Sequence, residues 1–132
     1  MDVFEAIHTT RAMRRLDPDR PVSDQDLRKI VKAATKAPTG KNSQPVRWIV
    51  VTDPDLRRRL GEVYRRCCTR LLEGDDPDLP LTRSAMHLAE HLGEAPALIL
   101  ACTQGPNRRP GSVFPAIQNL MLAARGLGLG TI

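Results

Sequence analysis

Two short apolar runs, Arg47 to Thr52 and Pro96 to Cys102, interrupt an otherwise helical pattern, and this alternation most restricts how the chain can fold. Both read as strands, the first mostly buried and closed by Asp53-Pro54. Ahead of them, Val3, Phe4 and Ile7 fall at helical spacing. The basic stretch RAMRRLDPDRPV that follows carries Pro18 and Pro21 and must be extended or looped. Ser23 and Asp26 resemble a capping box, and Leu27, Ile30, Val31 and Ala34 then form one face of a helix ending before Pro38. From Asp55 to Leu72 the spacing predicts a helix that turns Leu56, Leu60, Val63, Tyr64, Cys67 and Leu71 inward and Arg57, Arg58, Arg65 and Arg66 outward. GDDPDLP is a turn-rich loop, Ser84 to Leu92 is helical again, and a last helix from Ala116 to Arg125 puts Ile117, Leu120, Met121 and Ala124 on one face. Thr131-Ile132 looks like the start of a strand. Helices alternating with strands mean a mixed α/β or α+β layered domain, with no internal repeat.

Composition narrows the function classes. A chain of 132 residues has room for one hydrophobic core, so a single domain over 1–132 is expected. No run approaches the length of a spanning helix, and MDVFEAIHTT lacks the basic start and apolar centre of a secretory signal, so the cytoplasm is the expected location. Adjacent Cys67 and Cys68, with Cys102 in an apolar run, are no disulfide framework and read as reduced thiols. The net charge of +5 could suit nucleic acid, but the arginines are scattered and lack interleaved aromatics for base stacking. A small phosphorylated ligand explains the basic excess more economically.

Two segments could carry chemistry. Arg11 and Arg14 lie three apart beside Thr9 and Thr10 in a stretch that cannot be a long helix. Guanidinium forks there suit a phosphate, although an exposed basic turn would look the same. The second segment is the loop Ala37-Pro38-Thr39-Gly40-Lys41-Asn42-Ser43-Gln44-Pro45. Gly40 permits close backbone approach, and the Asn42 and Gln44 amides offer the donors and acceptors that a heterocycle edge needs. An ordinary polar connection has the same composition.

Taken in order, TTRAMRR, APTGKNSQPVRWIVV and AIQNLMLAARGLGLGT resemble the nitroreductase family, whose members carry an Arg-Arg-Ser-x-Arg stretch, an Ala-Pro-Ser…Asn-x-Gln-Pro-Trp loop and a Gly-Leu-Gly-Thr turn. The resemblance runs nearly the length of the chain. It implies an α+β fold, a layered α-β-α sandwich, and FMN bound at the interface of a homodimer. Arg11, Ala12 and Arg14 would contact the FMN phosphate, ribityl chain or pyrimidine edge, and Pro38, Thr39, Gly40, Asn42 and Gln44 would lie against the flavin from the partner subunit. Departures are Thr10 for the first arginine, Ala12 for serine, Lys41 for a small or polar residue, and Val46 for tryptophan. Family members also continue past the Gly-Leu-Gly-Thr turn into a further strand, a flavin-contacting loop and a basic phosphate-binding segment. That C-terminal strand and extension are absent from this sequence, so it reads as a C-terminal truncation or as a shortened member.

The activity implied is an FMN-dependent oxidoreductase that passes hydride from NADH or NADPH to a nitro compound, quinone or activated alkene by a ping-pong mechanism. The hydride step needs no acid or base side chain, so no catalytic residue is assigned. Arg14 is the candidate for the positive charge that stabilises anionic reduced flavin. Members that desaturate, dehalogenate or break up flavin are not distinguished by any residue here. GDDPDLP and the loop around Arg108 and Arg109 are candidates to cover the pocket. A different class of reading is a non-catalytic flavin-binding or dimerisation module.

His87-Leu88-Ala89-Glu90-His91 spells the H-x-x-E-H pattern of inverted zinc peptidases, but no suitably distant third protein ligand follows, so no metal site is expected. His87 and His91 read as helix-surface or interface residues. Cys67 and Cys68 receive no role.

Overall fold

The protein is described by a computed structural model covering residues 1–104 and 110–132. It divides into two compact units, one made of 1–12, 22–50 and 99–132, the other of 13–21 and 51–98.

In the first unit, α1 (Val3–Thr9) begins where the Asp2 carboxylate accepts the Glu5 amide proton, at 2.9 Å. Helix α2 (Asp24–Ala34) is capped as its sequence requires, with Ser23 Oγ accepting from Asp26 N at 3.1 Å and donating to the Asp26 carboxylate at 2.9 Å. That bond and Lys29 hold the Asp26 carboxyl below the usual carboxylate range. Helix α5 (Val113–Gly126) starts three residues ahead of the predicted Ala116, because Pro115 falls in its first turn, where a missing N–H does no harm. It packs on α2 and, less extensively, on α1. Leu27, Ile30 and Ala34 meet Ala116, Leu120 and Ala124 in the core, and each large side chain buried there contributes roughly 1.5–3 kcal/mol.

Helix α5 ends in a Schellman motif: Leu129 N donates to Ala124 O at 2.9 Å and Gly128 N to Arg125 O at 3.0 Å, with Gly128 at φ 77°. This turn carries the chain to Thr131, which forms a parallel bridge with Ala12. The predicted start of a strand at Thr131 is therefore a single bridge. Arg125 Nε also donates to Thr9 Oγ1 at 2.9 Å, tying the end of α5 to the end of α1.

Strands β1 (Val46–Val51) and β2 (Leu98–Thr103) form a two-stranded sheet among the described residues. Gln104, just past the end of β2, donates to Pro45 O, just before β1, at 2.8 Å, so the pair is antiparallel. The expectation of a mostly buried first strand is not met. Ile49 is 51% exposed and Val50 is exposed as well, because two strands alone leave both faces thinly covered.

The second unit holds α3 (Pro54–Leu71) and α4 (Pro80–His91). Asp53 caps α3 by accepting from Leu56 N at 2.8 Å, and Pro54 occupies the first turn. Helix α4 starts at Pro80, four residues before the predicted Ser84, for the same reason: a proline at the first position shortens the GDDPDLP loop. The helix at 54–71 forms as predicted, but its buried face differs. Gly61 is its buried residue, while Leu56, Val63 and Leu71 are exposed. Arg57, expected outward, is half-buried, and its guanidinium donates to Thr52 O at 3.2 Å and also to Ala95 O. Gly61 lets α3 lie against the turn at Leu92–Glu94, where Gly93 supplies the facing backbone. A buried face built around glycine carries little hydrophobic signal, so apolar spacing rightly turns Leu60 and Tyr64 inward and Arg58, Arg65 and Arg66 outward but misses the centre of the buried face.

No helix among the described residues is long and apolar enough to cross a membrane.

Candidate functional site

The loop at residues 38–44 lies in the first unit and is braced at several points. Asn42 N donates to Thr39 O at 3.0 Å, Ser43 N to Gly40 O at 3.2 Å, and Gln44 N to Thr39 Oγ1 at 3.0 Å. The Gln44 amide nitrogen donates to Asn42 Oδ1 at 3.0 Å, and Arg47 Nη1 donates to Gln44 O at 2.9 Å. Gly40 N is held at 3.4 Å from Ser112 Oγ, ahead of α5. Lys41, Asn42 and Gln44 have φ of 55°, 51° and 46°, in the left-handed region that costs a residue with a Cβ about 1–3 kcal/mol. Sequence reasoning singled out Gly40 as a place where another group can approach the backbone closely. A Cβ built there would meet nothing within 4 Å, and the strained positions are the three neighbouring residues with side chains. The loop thus keeps an open surface at Gly40 and a fixed, strained backbone just beyond it.

Arg11 and Ala12 belong to the same unit and are exposed, with Ala12 held by its bridge to Thr131. No hydrogen bond or ion pair engages the Arg11 guanidinium among the described residues. Arg14 is half-buried and belongs to the second unit, so the three basic-segment positions do not fall in one unit. The donor set nonetheless has the chemistry expected of it: guanidinium forks suited to a phosphate, and an Asn42–Gln44 amide pair suited to a heterocycle edge. Of the loops proposed to cover a pocket, the one around Arg108 and Arg109 lies outside the described residues.

Arg14 stands near a feature the sequence did not reveal. Interaction with the Cys68 thiol one turn along α3, together with partial burial, pushes the Tyr64 phenol's pKa up to about 12, against the opposing pull of the Arg14 charge. Tyr64 is the chain's one tyrosine, so tyrosinate absorbance reports it alone. The neutral phenol is favoured in the folded state, so its contribution to stability is full below the ordinary tyrosine pKa and is lost as pH rises toward about 12. We expect little tyrosinate at pH values where a free phenol is half ionised, and a midpoint moved down toward 10 in Cys68→Ala. An unchanged midpoint in that variant would remove Cys68 as the cause.

On α4, the His87 and His91 rings lie 4.4 Å apart, and His91 Nδ1 is 3.0 Å from a Glu94 carboxylate oxygen. Desolvation, Arg15 and His91 together hold His87 below the ordinary histidine range. No group of three or more metal-ligating side chains occurs among the described residues.

The family model described as "Nitroreductase family" matches residues 7–132, which takes in the braced loop, the basic segment and the Schellman turn. The chain belongs to the nitroreductase family. Its α+β class follows the same assignment. Similar proteins include Protein DrgA of Synechocystis, 31% identical over 97% of this chain and 68% of its own length. An Archaeoglobus fulgidus protein provisionally named an NADH dehydrogenase/NAD(P)H nitroreductase is 28% identical over 99% of this chain and 66% of its own length. The crystal structure of oxidized iodotyrosine deiodinase bound to FMN and 3-iodo-L-tyrosine superposes with a TM-score of 0.83 at 26% identity, covering 99% of this chain and 73% of that one. This nitroreductase-family chain thus spans about two thirds of the length of the two curated relatives.

Proposed function

We propose that residues 1–132 act as one nitroreductase-like domain of an FMN-dependent oxidoreductase. The enzyme would pass hydride from NADH or NADPH to a small electron-poor acceptor, alternating the two at one site. What carries the reading is the match of the family model across the braced, strained 38–44 loop. When bound, FMN supplies a ring that accepts and returns hydride. Arg11 and Arg14 would hold its phosphate or ring edge through charge-assisted bonds, with Ala12 giving a backbone N–H in place of a hydroxyl. Thr39, Gly40, Asn42 and Gln44, beside Pro38, would line the slot in the partner copy. Helix α1 supports a homodimer: it buries Ala6 but leaves Val3, Phe4 and Ile7 exposed, Phe4 at 70%, and Phe114 at the start of α5 is equally bare. For a nitro acceptor, one turnover consumes NAD(P)H and a proton, and yields NAD(P)⁺, the nitroso compound and water.

The test is an absorbance spectrum of the purified chain with FMN, followed by NADPH without oxygen. A perturbed flavin spectrum that bleaches supports the reading, and steady-state kinetics with parallel double-reciprocal lines would support alternation. A chain that leaves the free FMN spectrum unchanged would instead favour a module without catalysis. The likeness to iodotyrosine deiodinase favours a second reading, reductive dehalogenation, which predicts iodide release from 3-iodotyrosine.

A further inference from the structure

We propose that Lys41 makes carboxylate-bearing acceptors the preferred substrates of this site, an inference that rests on the functional reading above. From Pro38 to Pro45 the segment reads PTGKNSQP, and Lys41 is its one charged residue. Its side chain is exposed, and no ion pair or hydrogen bond engages its ammonium among the described residues. The stem departs from a backbone at φ 55° that the Asn42, Ser43 and Gln44 amide bonds hold on either side. That conformation disfavours a lysine, and a surface loop with no use for the charge would more cheaply place glycine or asparagine there. Immediately before it, Gly40 leaves open space.

A lysine ammonium is a compact point charge on a flexible stem, able to meet a carboxylate at several positions without the planar match an arginine requires. Exposed to solvent, it discriminates by charge more than by shape, and its effect weakens with salt. Arg47, which follows the loop in β1, does not duplicate it, because its guanidinium is committed to the Gln44 and Val46 carbonyls. The nicotinamide donor is a second possible source of an anion, through the 2′-phosphate of NADPH. The acceptor is favoured because the cation belongs to the short loop proposed to line the flavin slot, and it is the one charged residue of that loop.

The experiment compares 4-nitrobenzoate with 4-nitrobenzamide, two acceptors of matched shape and different charge. Their equilibrium binding to the FMN-saturated, oxidised protein is measured by calorimetry at low and high salt, and their kcat/KM ratio is measured alongside. The wild type is expected to favour the carboxylate by about tenfold at low salt, a preference of ~1.4 kcal/mol that an exposed charge pair can supply. Lys41→Gln should bring the ratio near one, Lys41→Glu should invert it, and Lys41→Arg should keep most of it. A ratio that Lys41→Gln leaves unchanged in protein that binds and reduces flavin overturns this inference alone. A change confined to the NADPH-over-NADH ratio also overturns it, since the charge would then read the donor. Failure to perturb the flavin spectrum at all removes the functional reading itself, and this inference with it.

Discussion

Gly61→Ala is expected to destabilise the chain by about 2 kcal/mol, although the same change at an exposed helix position stabilises by roughly 1 kcal/mol. The reversal comes from the packing of α3. A Cβ at Gly61 would lie 2.7 Å from both the Cα and the N of Gly93, distances that only a backbone shift can relieve. Since both facing atoms are backbone, no rotamer change opens the space, and the turn at Leu92–Glu94 must move away from α3. That movement would also disturb the carbonyls of Glu94 and Ala95 that satisfy the half-buried Arg57 guanidinium. Gly93→Ala should cost less, because its Cβ would meet the Arg57 carbonyl and Arg58 Cα at 3.2 Å, a separation a small adjustment can absorb. Urea unfolding measures both, and a loss of ~2 kcal/mol lowers the midpoint by about 1 M for a small domain. A midpoint that rises in Gly61→Ala would show that helix propensity outweighs the contact.

The Gly61 contact also marks where the sequence stops being readable. Local signals were legible: Ser23 and Asp26 cap α2 as their spacing requires, and Asp53-Pro54 closes β1 as the strand reading expects. Each is decided by a few neighbouring residues. The buried side of α3 was legible only in part, at Leu60 and Tyr64, because its centre is chosen by a glycine–glycine approach and by backbone carbonyls that receive Arg57, neither of which appears in apolar periodicity. In the loop, residue types pointed to Asn42 and Gln44 as polar groups. Their left-handed backbones, and that of Lys41, depend on hydrogen bonds whose partners are not predictable from composition. The influence of Cys68 on Tyr64 was hidden in the same way, inside what read as an ordinary apolar spacing on α3.

Arg11→Ala is expected to weaken FMN binding by about 10- to 100-fold, the range that corresponds to losing one or two charge-assisted hydrogen bonds of ~1.5–3 kcal/mol in all. Arg11 is exposed and has no competing ion pair among the described residues, so its removal leaves no buried group unpaired and should barely affect folding. The half-buried Arg14 is a different case, because its charge acts on the Tyr64 phenol. Arg14→Ala should weaken FMN comparably, slow reduction by NADPH, and raise the tyrosine midpoint further, since the charge that lowers it is gone. Ala12→Ser restores a hydroxyl donor and should tighten FMN several-fold, about the ~1 kcal/mol of one added hydrogen bond. Fluorescence quenching of FMN gives all three affinities, with Arg28→Ala on the exposed side of α2 as the control for a mere change in net charge. Equal losses in Arg11→Ala and Arg28→Ala would mean that FMN responds to overall charge, and the basic segment would lose its assigned role. A loss confined to Arg11 and Arg14, with a gain at Ala12, would tie phosphate recognition to that segment. It would also show that the natural chain grips the phosphate with arginine and backbone donors alone, one hydrogen bond short of what a serine at position 12 supplies.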